Sequence, residues 1–252
     1  MKIDAILTPA ELPTLARRDL RETLCVVFDV LRATSTFVTA LHNGAKAIIP
    51  VSEISEAVAI RGKQPDVLLA GERDGVKISA AQTGGTDFDL GNSPREFTPE
   101  KMRGGTIVST TTNGTRALRA CACAKSVLAG SFLNLAATAE FIKQLQPTEV
   151  LLVCAGTGDK RADEDVLGAG ALCELLARGD ARPTFSESAE IARQFYAQAK
   201  SDLAAAVRNS TNGRRLLAIP ELRDDVAFCL QRDVFPLIAG MEADGAIRRQ
   251  AA

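Results

Sequence analysis

The feature that most constrains the fold is a rhythm: short runs of β-branched and other apolar residues recur along the chain, most of them followed by an alanine-rich stretch of helical period. LCVVFDV precedes STFVTALHNG, AKAIIPV precedes EISEAVAIRG, GTIVSTT precedes GTRALRACACA, KSVLAGS precedes NLAATAEFIKQL and EVLLVCAG precedes EDVLGAGALCELLARG, with DVLLAGE a further run. These runs are apolar throughout rather than alternating, as strands are when helices cover both faces of their sheet. The pattern predicts an α/β protein of three layers, α/β/α, around a mostly parallel sheet. After Pro183 the pattern turns helical, SESAEIARQFYAQAKSDLAAAVRNS. No low-complexity linker sets that part off, so residues 1–252 are expected to form one domain with a more helical part from about 184.

Two βα units share an order of features. Residues 33–52, ATSTFVTALHNGAKAIIPVS, lie without gaps over residues 112–131, TNGTRALRACACAKSVLAGS, matching Thr36 with Thr115, Ala45-Lys46 with Ala124-Lys125 and Ser52 with Ser131. Hydroxyl-rich turn, helix, Ala-Lys and strand follow one another in both, the pattern that an internal duplication would leave.

Composition excludes several classes. A chain of 252 residues that is 46% hydrophobic can bury a substantial core. Opposite charges nearly cancel, at a formal net of -1, and one tyrosine and no tryptophan give bases little to stack on, so no nucleic-acid partner is expected. No window approaches the ~18 uninterrupted apolar residues of a membrane span, and the first residues lack a basic flank before an apolar core. The expectation is a soluble cytoplasmic protein that meets no membrane. Its size is one at which two-fold homodimers are common. Cys25, Cys121, Cys123, Cys154, Cys173 and Cys229 form no CxxC pair, and His42 is the single histidine, so zinc is disfavoured and buried free thiols are expected.

In parallel α/β sheets, ligands gather beyond the carboxyl ends of the strands, where helix N-termini offer free N–H groups. Four predicted strands end in polar groups there: Asp29 with Arg32 and the hydroxyls of Thr34, Ser35 and Thr36; Glu72 with Arg73; Ser109 to Thr112 with Asn113 and Gly114; and Gly156 with the acids Asp163 to Asp165. A hydroxyl at 34–36 serves equally as a helix N-cap. STTTNGT is more informative, since consecutive hydroxyls, an amide and a glycine before a helix give many donors for phosphate oxygens. In DFDLGNSP, Asn92 and Ser93 belong to a turn that can also touch a ligand. Asp29, Glu72 and one of Glu164 or Asp165 stand near strand ends, and carboxylates beside phosphate suit Mg²⁺.

Other chemistries fit poorly. A catalytic triad would have to rest on His42, which reads as a residue near the end of a helix. CAGTGDKR has six residues between Cys154 and Arg161, where the cysteine-phosphatase loop has five. FDVLRAT places Leu31 where the haloacid-dehalogenase phosphatases carry their second acid, and no GxxxxGK[ST] run is present.

The segments DVLRATST (29–36), GER (71–73), FDLGNSP (88–94), TTTNGT (110–115), GSxxN (130–134), CAG (154–156) and ED with its following AG (164–170) together resemble the 2-phosphosulfolactate phosphatase family. The resemblance runs in order from about residue 24 to 230. It implies Mg²⁺-dependent hydrolysis of (R)-2-phospho-3-sulfolactate to 3-sulfolactate and phosphate, a step of coenzyme M biosynthesis. SAAQTGGTD (79–87) lengthens one connection relative to the family, and the match is looser after Thr184.

On this reading Mg²⁺ is held by Asp29 and Glu72 with help from Asp165, and Asp29 is either a ligand or the nucleophile. Arg32, Thr34, Ser35, Thr36, Thr111, Thr112, Asn113, Gly114 and Thr115 are expected around the phosphoryl group, with Asn92 and Ser93 nearby. Arg73, Lys77 and Arg116 are the cations expected for the remaining anionic groups of the substrate. The alternatives are a phosphatase for another small phosphorylated carboxylic acid and a non-catalytic anion-binding protein.

Overall fold

The computed structural model describes residues 1–178 and 182–250. Its strands are β1 (Lys2–Ile6), β2 (Thr23–Phe28), β3 (Ala47–Pro50), β4 (Leu68–Arg73), β5 (Val76–Lys77), β6 (Thr106–Thr110), β7 (Ser126–Gly130), β8 (Glu149–Cys154), β9 (Thr184–Phe185), β10 (Ile238–Met241) and β11 (Ile247–Gln250). Its helices are α1 (Ala33–His42), α2 (Ile54–Lys63), α3 (Ala80–Thr83), α4 (Pro99–Met102), α5 (Gly114–Ala120), α6 (Leu135–Leu145), α7 (Asp163–Leu176), α8 (Glu187–Ala199), α9 (Leu203–Arg208), α10 (Thr211–Leu217) and α11 (Arg223–Cys229). Every apolar run singled out in the sequence is a strand, and every alanine-rich stretch that follows one is a helix.

One sheet holds all the strands, in the order β5-β4-β6-β3-β11-β10-β7-β2-β8-β1-β9. All six residues of β2 are buried, which explains why its sequence does not alternate. Leu24, Val26 and Phe28 point into a core shared with α6, α7 and α8, while Cys25 and Val27 point into a second core shared with α1 and α5. The three expected layers are therefore present.

The sheet is mixed in a specific way. β7, β2, β8, β1 and β9 run parallel, and so do β3, β6 and β4. Between the two blocks lies the β10–β11 hairpin, antiparallel to β7 on one side and to β3 on the other. The path from β7 to β3 thus takes three antiparallel steps, so the two parallel blocks have opposite polarity. The chain passes between them through α1, which leads from β2 to β3, and returns through α5, which leads from β6 to β7. The two segments that align in sequence, 33–52 and 112–131, are these two crossings.

The hairpin was not anticipated. Its strands have four residues each, and one of them reads Ile-Arg-Arg-Gln, so neither resembles the long apolar runs. The local signal was the turn, Asp244-Gly245, where Gly245 adopts a φ of +80°. Among the described residues no helix is long and apolar enough to cross a membrane. All six cysteines are free, and all but Cys123 are buried.

Candidate active site

The loop after β2 builds one wall. Asp29 is 8% exposed, and its Oδ1 accepts a long hydrogen bond from the Ala33 N–H at 3.4 Å. The hydroxyls that follow are consumed by the loop itself. Thr34 Oγ1 accepts from the Asp29 N–H at 3.1 Å, Ser35 Oγ donates to the Val30 carbonyl at 2.9 Å and Thr36 Oγ1 donates to the Asn92 carbonyl at 2.9 Å. All three residues are buried, where an unpaired hydroxyl would be costly, and none lines the cavity described below. They were expected around the phosphoryl group or as caps of α1; the structure bonds them within the loop, and the residue at the cap position is Arg32, without a side-chain cap.

The second wall comes from the other block. Glu72, on β4, accepts from both the N–H and the hydroxyl of Thr112 at 2.8 and 2.9 Å through Oε1, and from the Gly75 N–H at 2.7 Å through Oε2. Thr111 and Thr115 bond to each other across the first turn of α5 and are likewise buried away from the cavity. Gly114 is required by proximity: a Cβ there would lie 2.6 Å from Asp29 Oδ2 and 2.7 Å from the Ala33 Cβ. The starts of α1 and α5 therefore meet at Asp29. The N–H of Ala33 at the start of α1 and that of Thr112 in the turn before α5, expected to face a phosphate, are bonded to the site's own carboxylates.

α7 supplies two adjacent acids with different tasks. Both oxygens of Asp165 are taken by backbone, accepting from Val30 N–H at 2.8 Å and Gly156 N–H at 2.9 Å, so this residue ties the β2 loop to the β8 loop. Expected as a metal ligand, Asp165 does not line the cavity, and neither does Glu164. Its neighbour Glu164 accepts from Asn212 Nδ2 at 2.6 Å through Oε1, and its buried Oε2 has no hydrogen-bond partner among the described residues.

Arg32 is the buried cation. Its Nη1 donates to Asp225 Oδ2 at 3.0 Å and its Nη2 to the Gly75 carbonyl at 2.9 Å, with side chains 3% and 0% exposed. Asp225 Oδ1 accepts in turn from Ser93 Oγ at 2.7 Å and Arg95 Nε at 2.9 Å, so Ser93 acts behind the site.

These walls enclose a cavity of about 250 Å³. Asp29, Arg32, Glu72, Asn92, Thr112 and Asn113, all expected, line it. Gly75, Thr157, Gly158, Asn212 and Arg215 line it as well and were not anticipated as site residues. The three cations expected for further anionic groups lie elsewhere. Arg73 donates to the carbonyls of Glu72 and Ser52 and to Thr110 Oγ1, while Lys77 and Arg116 are exposed, and none of the three lines the cavity. Asn212, Arg215 and Asp225 belong to the helical part where the motif match was loosest; SxxG at 210–213 and DVAFC at 225–229 were its only signals.

The electrostatics are those of crowded acids. Burial, then the Glu72 and Glu164 carboxylates, push the Asp29 pKa up to about 7 from its usual 3.8. Burial also raises Glu164, and burial together with Asp29 and Glu164 raises Asp165 well above its usual value. Burial pushes the Cys154 thiol up, which leaves it inert as a nucleophile. No set of three or more His, Cys, Asp or Glu side chains among the described residues forms an all-protein metal cage. Mg²⁺ does not need one, since it keeps waters and substrate oxygens and takes one or two carboxylates. The mutually repelling Asp29 and Glu72, which both line the cavity, fit such an ion.

A polar cavity at strand carboxyl ends, walled by buried carboxylates and a braced guanidinium, lies where an α/β enzyme carries its ligand site. The chain belongs to the 2-phosphosulfolactate phosphatase family, a family of phosphoric monoester hydrolases: the family model described as 2-phosphosulpholactate phosphatase matches residues 7–244. It is 40% identical over 235 residues to a protein of Caldanaerobacter subterraneus subsp. tengcongensis, covering 92% of each chain. It is 39% identical over 216 residues to one of Thermotoga maritima, covering 86% of this chain and 88% of the other. A third relative, from Clostridium acetobutylicum, is 32% identical over 239 residues, 94% of this chain and 96% of the other. All three are named "Probable 2-phosphosulfolactate phosphatase".

Proposed function

We propose that this chain hydrolyses (R)-2-phospho-3-sulfolactate to 3-sulfolactate and phosphate with the help of Mg²⁺, in the cytoplasm and as a step towards coenzyme M. The observation that carries the reading is the meeting of Asp29, Glu72 and Arg32 around one cavity from two sheet blocks of opposite polarity. Family membership supports the reaction class. Asp29 and Glu72, the two expected ligands that line the cavity, would hold the ion together with water and substrate oxygens, and when bound it would supply Lewis-acid polarisation of the phosphoryl oxygens.

The protein's own groups do the rest. Arg32, fixed by Asp225, offers its guanidinium to the phosphoryl oxygens from a position that needs no reorganisation on binding. Asn92 and Asn113 add neutral polar groups at the cavity wall, and Thr112 holds Glu72 in place. Asp29 is either a ligand of the ion or the nucleophile; its pKa is raised by burial and by Glu72 in the metal-free protein, and a bound cation would favour its charged form.

The decisive experiment measures phosphate release from 2-phosphosulfolactate, 2-phospholactate and p-nitrophenyl phosphate, with Mg²⁺ and after EDTA. Fastest release from 2-phosphosulfolactate, abolished by EDTA and restored by Mg²⁺, is the expected result. Turnover indifferent to EDTA would remove the metal from the mechanism, and no release from any ester would remove the reaction.

A further inference from the structure

Two guanidiniums line the cavity, and they are not equivalent. Arg32 is buried and paired with the fully buried Asp225, which Arg95 shares. Arg215 is 43% exposed, and the acid within its reach is Asp74, 3.6 Å away with a carboxylate 97% exposed. An ion pair of that length with one partner in open water is weak. The guanidiniums flank one point: a Cβ built on Gly75 would lie 3.8 Å from Arg215 Nη2 and 3.9 Å from Arg32 Nη2. Two cations thus flank Gly75 at the cavity wall, one with a buried carboxylate partner and one without.

The local sequence, NSTNGRR, fixes Arg215 in that position. A Cβ on Gly213 would meet the Val207 carbonyl oxygen at 1.8 Å, so glycine alone lets α10 pack against the end of α9. Ser210 Oγ accepts from the Gly213 N–H at 3.0 Å and starts the helix. Asn212, three residues before Arg215 and on the same helix face, donates to Thr157 Oγ1 at 2.7 Å and to Glu164 Oε1 at 2.6 Å. α10 is therefore pinned to the opposite wall of the cavity, and Arg215 is carried by a fixed element although its own tip reaches solvent.

A monoanionic or simple phosphate ester needs only the cations that meet its phosphoryl group. A small ester with a second anionic group places further negative charge beside Asp29 and Glu72, where it is repelled unless a separate cation receives it. We propose that Arg215 is the specificity-determining residue of this site, pairing with the second anionic group, sulfonate or carboxylate, of a small organic phosphate ester. The proposal rests on the phosphatase reading above.

The test compares wild type with Arg215→Ala and Arg215→Lys on 2-phosphosulfolactate, 2-phospholactate and p-nitrophenyl phosphate. In Arg215→Ala, KM for 2-phosphosulfolactate is expected to rise about 10- to 100-fold while kcat changes little, as for loss of a charge-assisted hydrogen bond. The kcat/KM ratio of 2-phosphosulfolactate to p-nitrophenyl phosphate falls at least tenfold, on the order expected for that loss, and Arg215→Lys retains most of it. An equal fall on 2-phospholactate assigns Arg215 to the carboxylate, and a much smaller one assigns it to the sulfonate. An unchanged ratio, or a uniform loss of kcat on every ester, overturns the proposal. If wild type hydrolyses none of the esters, the phosphatase reading fails, and calorimetric titration with 3-sulfolactate then decides on Arg215. Binding by wild type that Arg215→Ala loses supports the pairing; equal binding or none overturns it.

Discussion

Asp225 holds Arg32 from behind, at 3.0 Å and without solvent, so the guanidinium that faces the cavity is oriented by an acid on α11, 193 residues away in the chain. Removing one member of a buried pair leaves the other as an uncompensated charge. Asp225→Ala should cost about 3–5 kcal/mol in urea unfolding and sharply lower kcat/KM. A variant of wild-type stability and activity would show that Arg32 does not depend on this partner.

Asp29→Asn should separate stability from activity. The substitution removes one of the mutually repelling buried acids, so without divalent cation the variant should melt higher than wild type at pH 8, while kcat falls by roughly 100-fold or more. Calorimetry and steady-state kinetics on one preparation check both halves.

Stability of the metal-free protein should fall as pH rises. With its pKa raised from 3.8 to about 7, folded Asp29 keeps a proton that the unfolded chain releases, and the raised Glu164 and Asp165 act in the same sense. The folded state then binds more protons than the unfolded one, which makes the slope of unfolding free energy with pH negative from about 4 to about 7. Mg²⁺ should raise Tm more at pH 8 than at pH 5, where protons compete for the same oxygens. Thermal melts in EDTA and in Mg²⁺ across this range test the sign.

Gly114→Ala should cripple turnover with a smaller effect on folding. The new methyl would stand 2.6 Å from Asp29 Oδ2, closer than real contacts allow, so the carboxylate or the start of α5 has to shift. Misplacement of about 1 Å at a reacting group costs on the order of 100-fold in rate. Activity within a few-fold of wild type would mean that the contact relaxes at no cost to the site.

Much of this arrangement was legible in the sequence, for identifiable reasons. The strands around Asp29 and Glu72 are buried on both faces, so they advertise themselves as apolar runs, and the acids at their ends stand out. The placement of Thr34, Ser35 and Thr36 was not legible, because a hydroxyl-rich turn looks the same whether its donors face a ligand or the loop's own carbonyls. Glu164 and Asp165 are neighbours on the first turn of α7, about 100° apart around its axis, and composition cannot say that one bonds Asn212 and the other the backbone of two loops. Arg215 and Asp225 were out of reach because short helices without a strong apolar period carry no sign of what they face.

The two crossings between blocks of opposite polarity have a consequence for how the molecule comes into being. Val30 is bonded to Asp165 across 135 residues, Ser93 to Asp225 across 132 and Arg32 to Asp225 across 193. Contacts so far apart along the chain close late, after most of the loop entropy has been overcome. A chain emerging from the ribosome therefore acquires its hydrolytic centre only when α11 arrives, and recovery of enzymatic rate after dilution from denaturant should lag behind the return of helical signal.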